Sequence, residues 1–522
     1  GCTSEAMEYH KAALDARVQL LGVENSSVAD SLFGLAQTLV ENNLHKDALG
    51  VLRQCRRIRL AVYGDGHNKV ADTLFLLGIV LREVGSLSES FSSLKQAVEI
   101  KSTTTNRNSN EVADISFKLA IVLVELGKFE EAKTYTLKCL QIRLDKLGNV
   151  HPDVATAMEN MGIIEQKRGN HQDAIEWMKK ALEIKRLSVG DQHEDISAIV
   201  HTMALSLGEL DDLDSAIKLF EDAVRRKKTT YGQKHIEVAR VLVDQGHNLE
   251  RVDDPENALM CYEEAVDTNC FEDNSWEVGR VFMRMGIAHF SLDKEEDSWD
   301  CLSEATRVFE LIERREKRRQ EKEFGPTERP NRDLRDLIRC YECMLRLSEA
   351  NPTRYNVDRS LVLPKVAHVL AEIKQYKKAT SLYKDAIVIQ KSLPGDTRFV
   401  VATNLHNLGN CLHHLGEVDE AMICLEDALG LFQEIPGVEG KHVADTYHSL
   451  GVVHQSKSEL QEALACYSNA LKSRRNSTDR RVDLVSTLSN MGDVLRTLGM
   501  YDAAIKSCKD ALRLVDTKLD ST

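Results

Sequence analysis

GNVHPDVATAMENMGIIEQKRGNHQDAIEWMKKALEIKRLSVG, residues 148–190, is the stretch on which the reading of this 522-residue chain turns. From Asp153 it sets small or apolar residues at helical spacing: Val154, Ala155, Met158, Met161 and Gly162. It breaks at Arg168-Gly169-Asn170, resumes with Ala174, Met178, Ala181 and Ile184, and stops at Gly190. Intervals of three and four place apolar side chains on one helix face, so the stretch predicts two amphipathic helices joined by a short turn.

The pattern recurs along the chain. The small residue early in the second helix falls at Ala6, Ala48, Ser90, Ala132, Ala174, Ala216, Ala258 and Ser298, then at Ala379, Ala421, Ala463 and Ala504. Steps in the first run are 42 residues six times and then 40; in the second they are 42, 42 and 41. Seven residues past each anchor stands another small residue, from Ala13 and Cys55 to Ala511. Sixteen past come Gly22, Gly64, Asn106, Gly148, Gly190, Gly232 and Asn274, and later Gly395 and Gly437. Gly, then Asn, best tolerates the left-handed backbone that ends a helix, so this column reads as a helix stop. Self-similarity at such a period specifies a solenoid in which each unit buries its apolar face on the next.

The order Leu-x-x-[Gly/Ala], then Ala, then a large residue four later and a small one three after that resembles the tetratricopeptide motif. That resemblance implies an all-α, right-handed superhelical solenoid of about eleven helix-turn-helix units. The period of 42 exceeds the ordinary motif's by about one helical turn per helix. With linkers such as LGNVHPDVA (147–155), YGDGHNKVA (63–71) and YGQKHIEVA (231–239), the unit resembles the kinesin-light-chain type. The heptad coiled coil that this family carries ahead of its array is not in this sequence.

The anchors divide the chain into an N-terminal array at 1–323, a linker at 324–333 and a C-terminal array at 334–522. Ala6 belongs to a second helix whose first helix is absent, which favours a chain beginning inside a longer protein. Between Ser298 and Ala379 a degenerate unit is expected, with a second helix at Leu334–Leu347 and a helix stop at Asn356. Gly325-Pro326 and Pro330 break its first helix. The preceding helix should run on through ERREKRRQEKE (313–323), as a solvated charged face, a basic docking patch or a nuclear-import signal.

Several function classes are disfavoured. The longest apolar run, Leu74–Leu81, is far short of the ~20 residues a membrane span needs, and no signal peptide opens the chain. Gly1-Cys2 lacks the downstream Ser/Thr of an acylation signal. Cys55, Cys139 and Cys508 sit in packing columns as small apolar residues, which points to a reducing compartment, cytoplasmic or nuclear. A net charge of −14 argues against a nucleic-acid partner. His67, His151, His193 and His235 recur in register, but equivalent helices lie ~8–10 Å apart and cannot share one ion at ~2 Å bonds; they read as linker and capping residues. Cys340 and Cys343 form a lone CxxC without a second ligand pair, and no P-loop, HExxH or dinucleotide fingerprint occurs. No enzyme, cofactor or metal site is expected.

The resemblance places ligand-facing side chains at the fifth and ninth positions of each first helix, with the sixth and thirteenth contributing. Counted from Ala29, Ala71, Ala113, Ala155 and Ser197, position five holds Phe33, Phe75, Phe117, Glu159 and His201, and position nine Gln37, Ile79, Ile121, Ile163 and Leu205. Three phenylalanines beside a row of aliphatics form a candidate apolar groove for a protein or peptide partner, unless they are inter-repeat core. In the C-terminal array the equivalent positions hold His406, Asn407, Asn410, His448 and Asn490, where Asn offers both donor and acceptor to a peptide backbone. Of the kinesin-light-chain Asn-Asn-Leu only the second Asn is kept, as Asn160, Asn407 and Asn490, with Glu159, His406 and Ser489 in the first place. That family's cargo specificity is therefore not implied, and the Lys/Asn/Arg clamp for a terminal carboxylate is not assembled. The expected function is a non-enzymatic interaction scaffold holding a peptide segment or helix in its concave groove. The rivals are a structural subunit contacting neighbours through edges and convex face, and the sensor array of a longer chain.

Overall fold

A computed structural model describes residues 2–105, 109–191, 193–272, 275–323, 334–437, 440–474 and 481–516. They form 24 helices and no strand. Two compact units divide the chain, Gly1–Cys270 and Phe271–Thr522.

The first unit holds α1 (Cys2–Leu21), α2 (Ser26–Glu41), α3 (His45–Tyr63), α4 (Asn68–Glu83), α5 (Leu87–Thr104), α6 (Asn110–Glu125), α7 (Phe129–Leu147), α8 (Pro152–Lys167), α9 (His171–Val189), α10 (Glu194–Glu209), α11 (Leu213–Tyr231), α12 (Ile236–Arg251) and α13 (Pro255–Asp267). The second holds α14 (Trp276–Ser291), α15 (Glu295–Glu323), α16 (Arg335–Ala350), α17 (Pro352–Glu372), α18 (Tyr376–Ser392), α19 (Arg398–Leu415), α20 (Val418–Glu434), α21 (Gly440–Ser456), α22 (Leu460–Arg474), α23 (Arg481–Thr497) and α24 (Tyr501–Asp516).

From α2 to α13 each even-numbered helix packs most heavily on the odd-numbered helix after it. In the second unit the pairs are α14 with α15, α17 with α18, α19 with α20, α21 with α22, and α23 with α24. The anchor alanines are sealed at these seams: Ala48, Ala132, Ala174, Ala216, Ala379 and Ala421 are each 0% exposed. Small residues there let the two backbones approach, and the large residue four positions on fills the space opposite a glycine or alanine of the partner helix.

Two other columns set the phase. His67, His151, His193 and His235 are N-caps: each Nδ1 accepts the N–H two residues on, at 3.1 to 3.3 Å, as their register implied. The stop glycines depart from expectation. Gly64, Gly148, Gly190 and Gly232 have φ of 77–90° but ψ of 159–176°. That is not the left-handed helical well but an extended positive-φ region open essentially to Gly alone. Asn106 and Asn274 lie outside the described residues.

The degenerate unit is partly as expected. The long helix α15 does run on to Glu323, and α16 supplies the surviving second helix; the linker at 324–333 lies outside the described residues. The stop at Asn356 is wrong, because α17 continues through it. The chain turns earlier, at Asn351, and Pro352 starts the new helix, where its missing N–H is no loss. Inside α17, Pro364 leaves the Ser360 carbonyl without its helical donor, and the Gln390 amide fills the gap at 2.8 Å. Cys508 is a second correction: Cys55 and Cys139 are buried, but Cys508 on α24 is exposed although its sulfur lies against Gly492 of α23, since no described helix other than α23 packs on α24. No described helix is long and apolar enough to cross a membrane.

Candidate partner-binding groove

In the first unit the backbones of α2, α4, α6, α8, α10 and α12 each approach the next member of the series across the repeat boundary, whereas those of α3, α5, α7, α9 and α11 stay farther apart, with long side chains such as Arg53 and Glu89 reaching across at 3.0 Å. A stack of pairs whose first helices approach while its second helices splay is curved, with the first helices on the inner side. The same contrast holds in the second unit for α17, α19, α21 and α23. Positions five, six, nine and thirteen can therefore be read as a surface.

Phe33, Phe75, Ile79, Phe117, Ile121, Ile163 and Leu205 are all half-buried. Phe75 packs on the cluster of Val70, Leu74, Leu94 and Ile115, and Phe117 on that of Val112, Cys139, Ile142 and Val154. Each ring lends part of its surface to the inter-repeat core and keeps the rest open. Cations back two of them: the Arg59 guanidinium lies 4.5 Å from the Phe33 centroid, and that of Arg143 4.9 Å from Phe117. Further along position five the aromatic run ends at Glu159, whose carboxyl burial pushes up to about 7 against the pull of Lys185. His201 follows, with Nε2 2.8 Å from Asp244.

The cations behind the phenylalanines belong to a column the sequence reading passed over. Eleven residues past each anchor stand Arg17, Arg59, Lys101, Arg143, Lys185 and Lys227, and in the second unit Arg474. Arg59, Lys101, Arg143, Lys185, Lys227 and Arg474 are all buried. Each bridges its own pair to the helix that follows. Lys101 reaches Asp72 of its own repeat and Glu111 of the next, both at 2.7 Å. Arg143 bonds Asp114 and the Asp153 carbonyl, at 2.9 Å each. Lys227 meets Glu237 at 2.6 Å. A buried charge is stable only when paired and hydrogen-bonded, and these are. Lys227→Met should cost about 1–2 kcal/mol, because Glu237 is left near the surface rather than stranded. Urea unfolding of the variant checks this.

In the second unit the hydrogen bonds fix the side-chain roles. Thr446 Oγ donates to the His442 carbonyl at 2.8 Å, so it accepts from His406 Nδ1 at 3.1 Å. His406 Nε2 then accepts from the Asn410 amide at 3.0 Å, which leaves the Asn410 carbonyl oxygen as its free end. Burial lowers His406 to about 4. His448 Nδ1 is likewise 3.0 Å from Thr487 Oγ, and burial followed by Arg474 lowers its pKa. The position-six asparagines turn inward: Asn160 donates to Thr136 at 3.0 Å, Asn407 to the Tyr383 hydroxyl and Asn490 to that of Tyr467. Each tie runs from a first helix to the second helix of the preceding repeat. Where Arg474 has no counterpart, Gln390 fills the seat and accepts from Asn404 at 2.8 Å, and Phe432 does so by stacking on His442.

These features define an α-solenoid of stacked helix pairs with a curved inner face. The tetratricopeptide-repeat family matches residues 111–186, 195–269, 358–434 and 442–516, more than half of the chain. The protein belongs to the tetratricopeptide-repeat family, whose repeats imply a protein–protein interaction or scaffold role. Similar solved structures include BtubC (BKLC) from P. vanneervenii, at 18% identity and a TM-score of 0.38, covering 44% of this chain and 93% of that one. Another is a putative kinesin light chain of Podosopora anserina with nearly identical TPR-like repeats, at 20% identity and a TM-score of 0.36, covering 40% and 98%. Comparison with curated proteins by sequence gave no match.

Proposed function

We propose that the protein is a non-enzymatic scaffold that holds a segment of a partner polypeptide against its inner helices. The observation that carries this reading is the register of Phe33, Phe75 and Phe117, half-buried at one position of α2, α4 and α6, which touch in sequence. Half-open rings on a curved inner face offer apolar area to a guest without exposing a core. The second unit would contribute backbone recognition, with the Asn410 carbonyl oxygen free to accept a peptide N–H. The free thiols of the described cysteines suit a reducing compartment.

Crosslinking and co-purification of the wild type against Phe75→Glu and Phe117→Glu test the proposal. Loss of bound partners with unchanged helical circular dichroism is the expected result. An unaltered partner set would move the binding to edges or convex face, as in a structural subunit of a larger assembly.

A further inference from the structure

The inner helices of the two units differ in charge. In the first unit α2, α4, α6, α8, α10 and α12 carry sixteen Asp and Glu against six Lys and Arg, a net of −10. Their paired outer helices α3, α5, α7, α9, α11 and α13 carry sixteen against twenty, a net of +4. In the second unit α14, α17, α19, α21 and α23 carry six against nine, a net of +3. Composition alone does not segregate charge this way, since the chain as a whole is only mildly acidic for its length.

The acids of α2, α4 and α6 are placed in two rows. Asp30, Asp72 and Asp114 stand at position two, and Glu41, Glu83 and Glu125 at position thirteen. Between the rows lie the phenylalanines of position five and Gln37, Ile79 and Ile121 of position nine. Positions two, five, nine and thirteen share one helix face. Eleven residues separate the rows, about 16 Å along each helix, enough for one helix of ~10–12 Å diameter lying across the three. The first row keeps 40%, 43% and 56% of its side-chain surface open although Arg59, Lys101 and Arg143 bind it from behind. Those three cations are themselves buried; the part-exposed Lys69 of α4 also meets Asp30, at 2.8 Å, so the open charge of the row rests chiefly on Asp72 and Asp114. In the second row Arg82 is shared between Glu83 and Glu125, so the row keeps more negative than positive charge.

Resting on the groove reading above, we infer that the inner face of α2, α4 and α6 takes a basic amphipathic helix, its apolar stripe on the phenylalanines and its Lys and Arg on the two acidic rows. Charge placed at the rims of an apolar floor selects register and partner more than it adds raw affinity. The second unit has only single acids in place of the rows, Asp445 among Leu361, Thr403 and Ser486 at position two and Glu372 among His414, Ser456 and Thr497 at position thirteen, and is not part of this site.

Fluorescence anisotropy on the full chain tests it, with designed peptides of about five helical turns sharing a Leu stripe and flanked by Lys or by Glu. The Lys-flanked peptide should bind at least about tenfold more tightly, with the margin shrinking at high salt. Glu41→Gln/Glu83→Gln/Glu125→Gln, which keeps amides for Arg82, should erase most of the preference, and Glu41→Lys/Glu83→Lys/Glu125→Lys should reverse it. Circular dichroism of both variants separates loss of preference from loss of fold. Equal binding of both peptides, abolished by Phe75→Glu, would overturn the charge inference while leaving the groove standing. Equal binding of a scrambled Lys peptide, or no binding of the Lys-flanked one, would overturn the basic-helix assignment outright. The groove itself is judged separately, by the crosslinking of Phe75→Glu.

Discussion

Gly451→Val should be among the most damaging single substitutions in the chain, costing about 3 kcal/mol. A Cβ at this position would lie 2.6 Å from Tyr467 Cε1, 2.8 Å from Cδ1 and 2.9 Å from Cζ. Tyr467 is 0% exposed and cannot swing aside, because its hydroxyl donates to Gln455 at 2.9 Å and accepts from Asn490. Replacing Gly in a helix interior ordinarily gains up to about 1 kcal/mol, so the clash must outweigh a favourable term as well. Gly50→Ala on α3, where no heavy atom lies within 4 Å of the new Cβ, isolates that term and should stabilise slightly. Gly78→Val should fall between the two, since its Cβ meets Leu94 Cγ at 2.5 Å, a buried side chain without the hydrogen bonds that hold Tyr467 in place. Each repeat contacts only its neighbours, so the loss should be local: hydrogen exchange should rise in α21 to α24 and stay unchanged in α2 to α13. Uniform weakening across both units would contradict this account.

The same glycine shows what the sequence could reveal. A small residue facing a large one at fixed offset is a pattern in residue type, so helix pairing, the long α15 and the capping histidines were all readable from spacing. Partner-dependent roles were not. Asn160, Asn407 and Asn490 carry a motif that suggested an open groove contact, yet Thr136, Tyr383 and Tyr467 draw them inward. The buried cation column mixes Arg and Lys and gives way to Gln390 and Phe432, so no single letter marks it. The turn inside each pair keeps positive φ at Asn43, Gly85, Gly127, Asp211, Asp253 and Lys374, a shared conformation that varied residue types disguise. The division of the compact units at Cys270 is marked in the phase only by a two-residue slip, for the step from Ala258 to Ser298 is 40 residues where the six before it are 42, too small a change to read as a boundary.

Acidification should act on the two units in opposite directions. The Glu159 carboxyl is raised from 4.5 to about 7 because burial between the inner helices penalises its charge; Lys185 pulls it down and Asp195 pushes it up. Between those values the folded first unit holds a proton that the unfolded chain has released. Its stabilising contribution is therefore full below about 4.5 and lost as pH rises through 7. His406 is lowered from 6.5 to about 4, by burial first, with His442 and His448 adding to the effect and Asp445 opposing it. Protonation would also set Nε2 against the Asn410 amide that donates to it. Here the unfolded chain holds the extra proton, so the contribution is full above about 6.5 and lost as pH falls toward 4. Each effect is worth about 2–3 kcal/mol across its window. Hydrogen exchange in α8 to α10 should therefore slow from pH 8 to pH 5, after correction for the intrinsic rate, while that in α19 to α21 quickens. Glu159→Gln should flatten the first trend only, and His406→Gln the second only. If both units weakened together on acidification in both variants, general charge repulsion rather than these two side chains would govern the response. Because Glu159 closes the aromatic run of position five, its ionisation also sets the charge at that end of the apolar floor. An apolar guest that reaches α8 should accordingly bind more tightly below neutrality, and Glu159→Gln should remove that dependence.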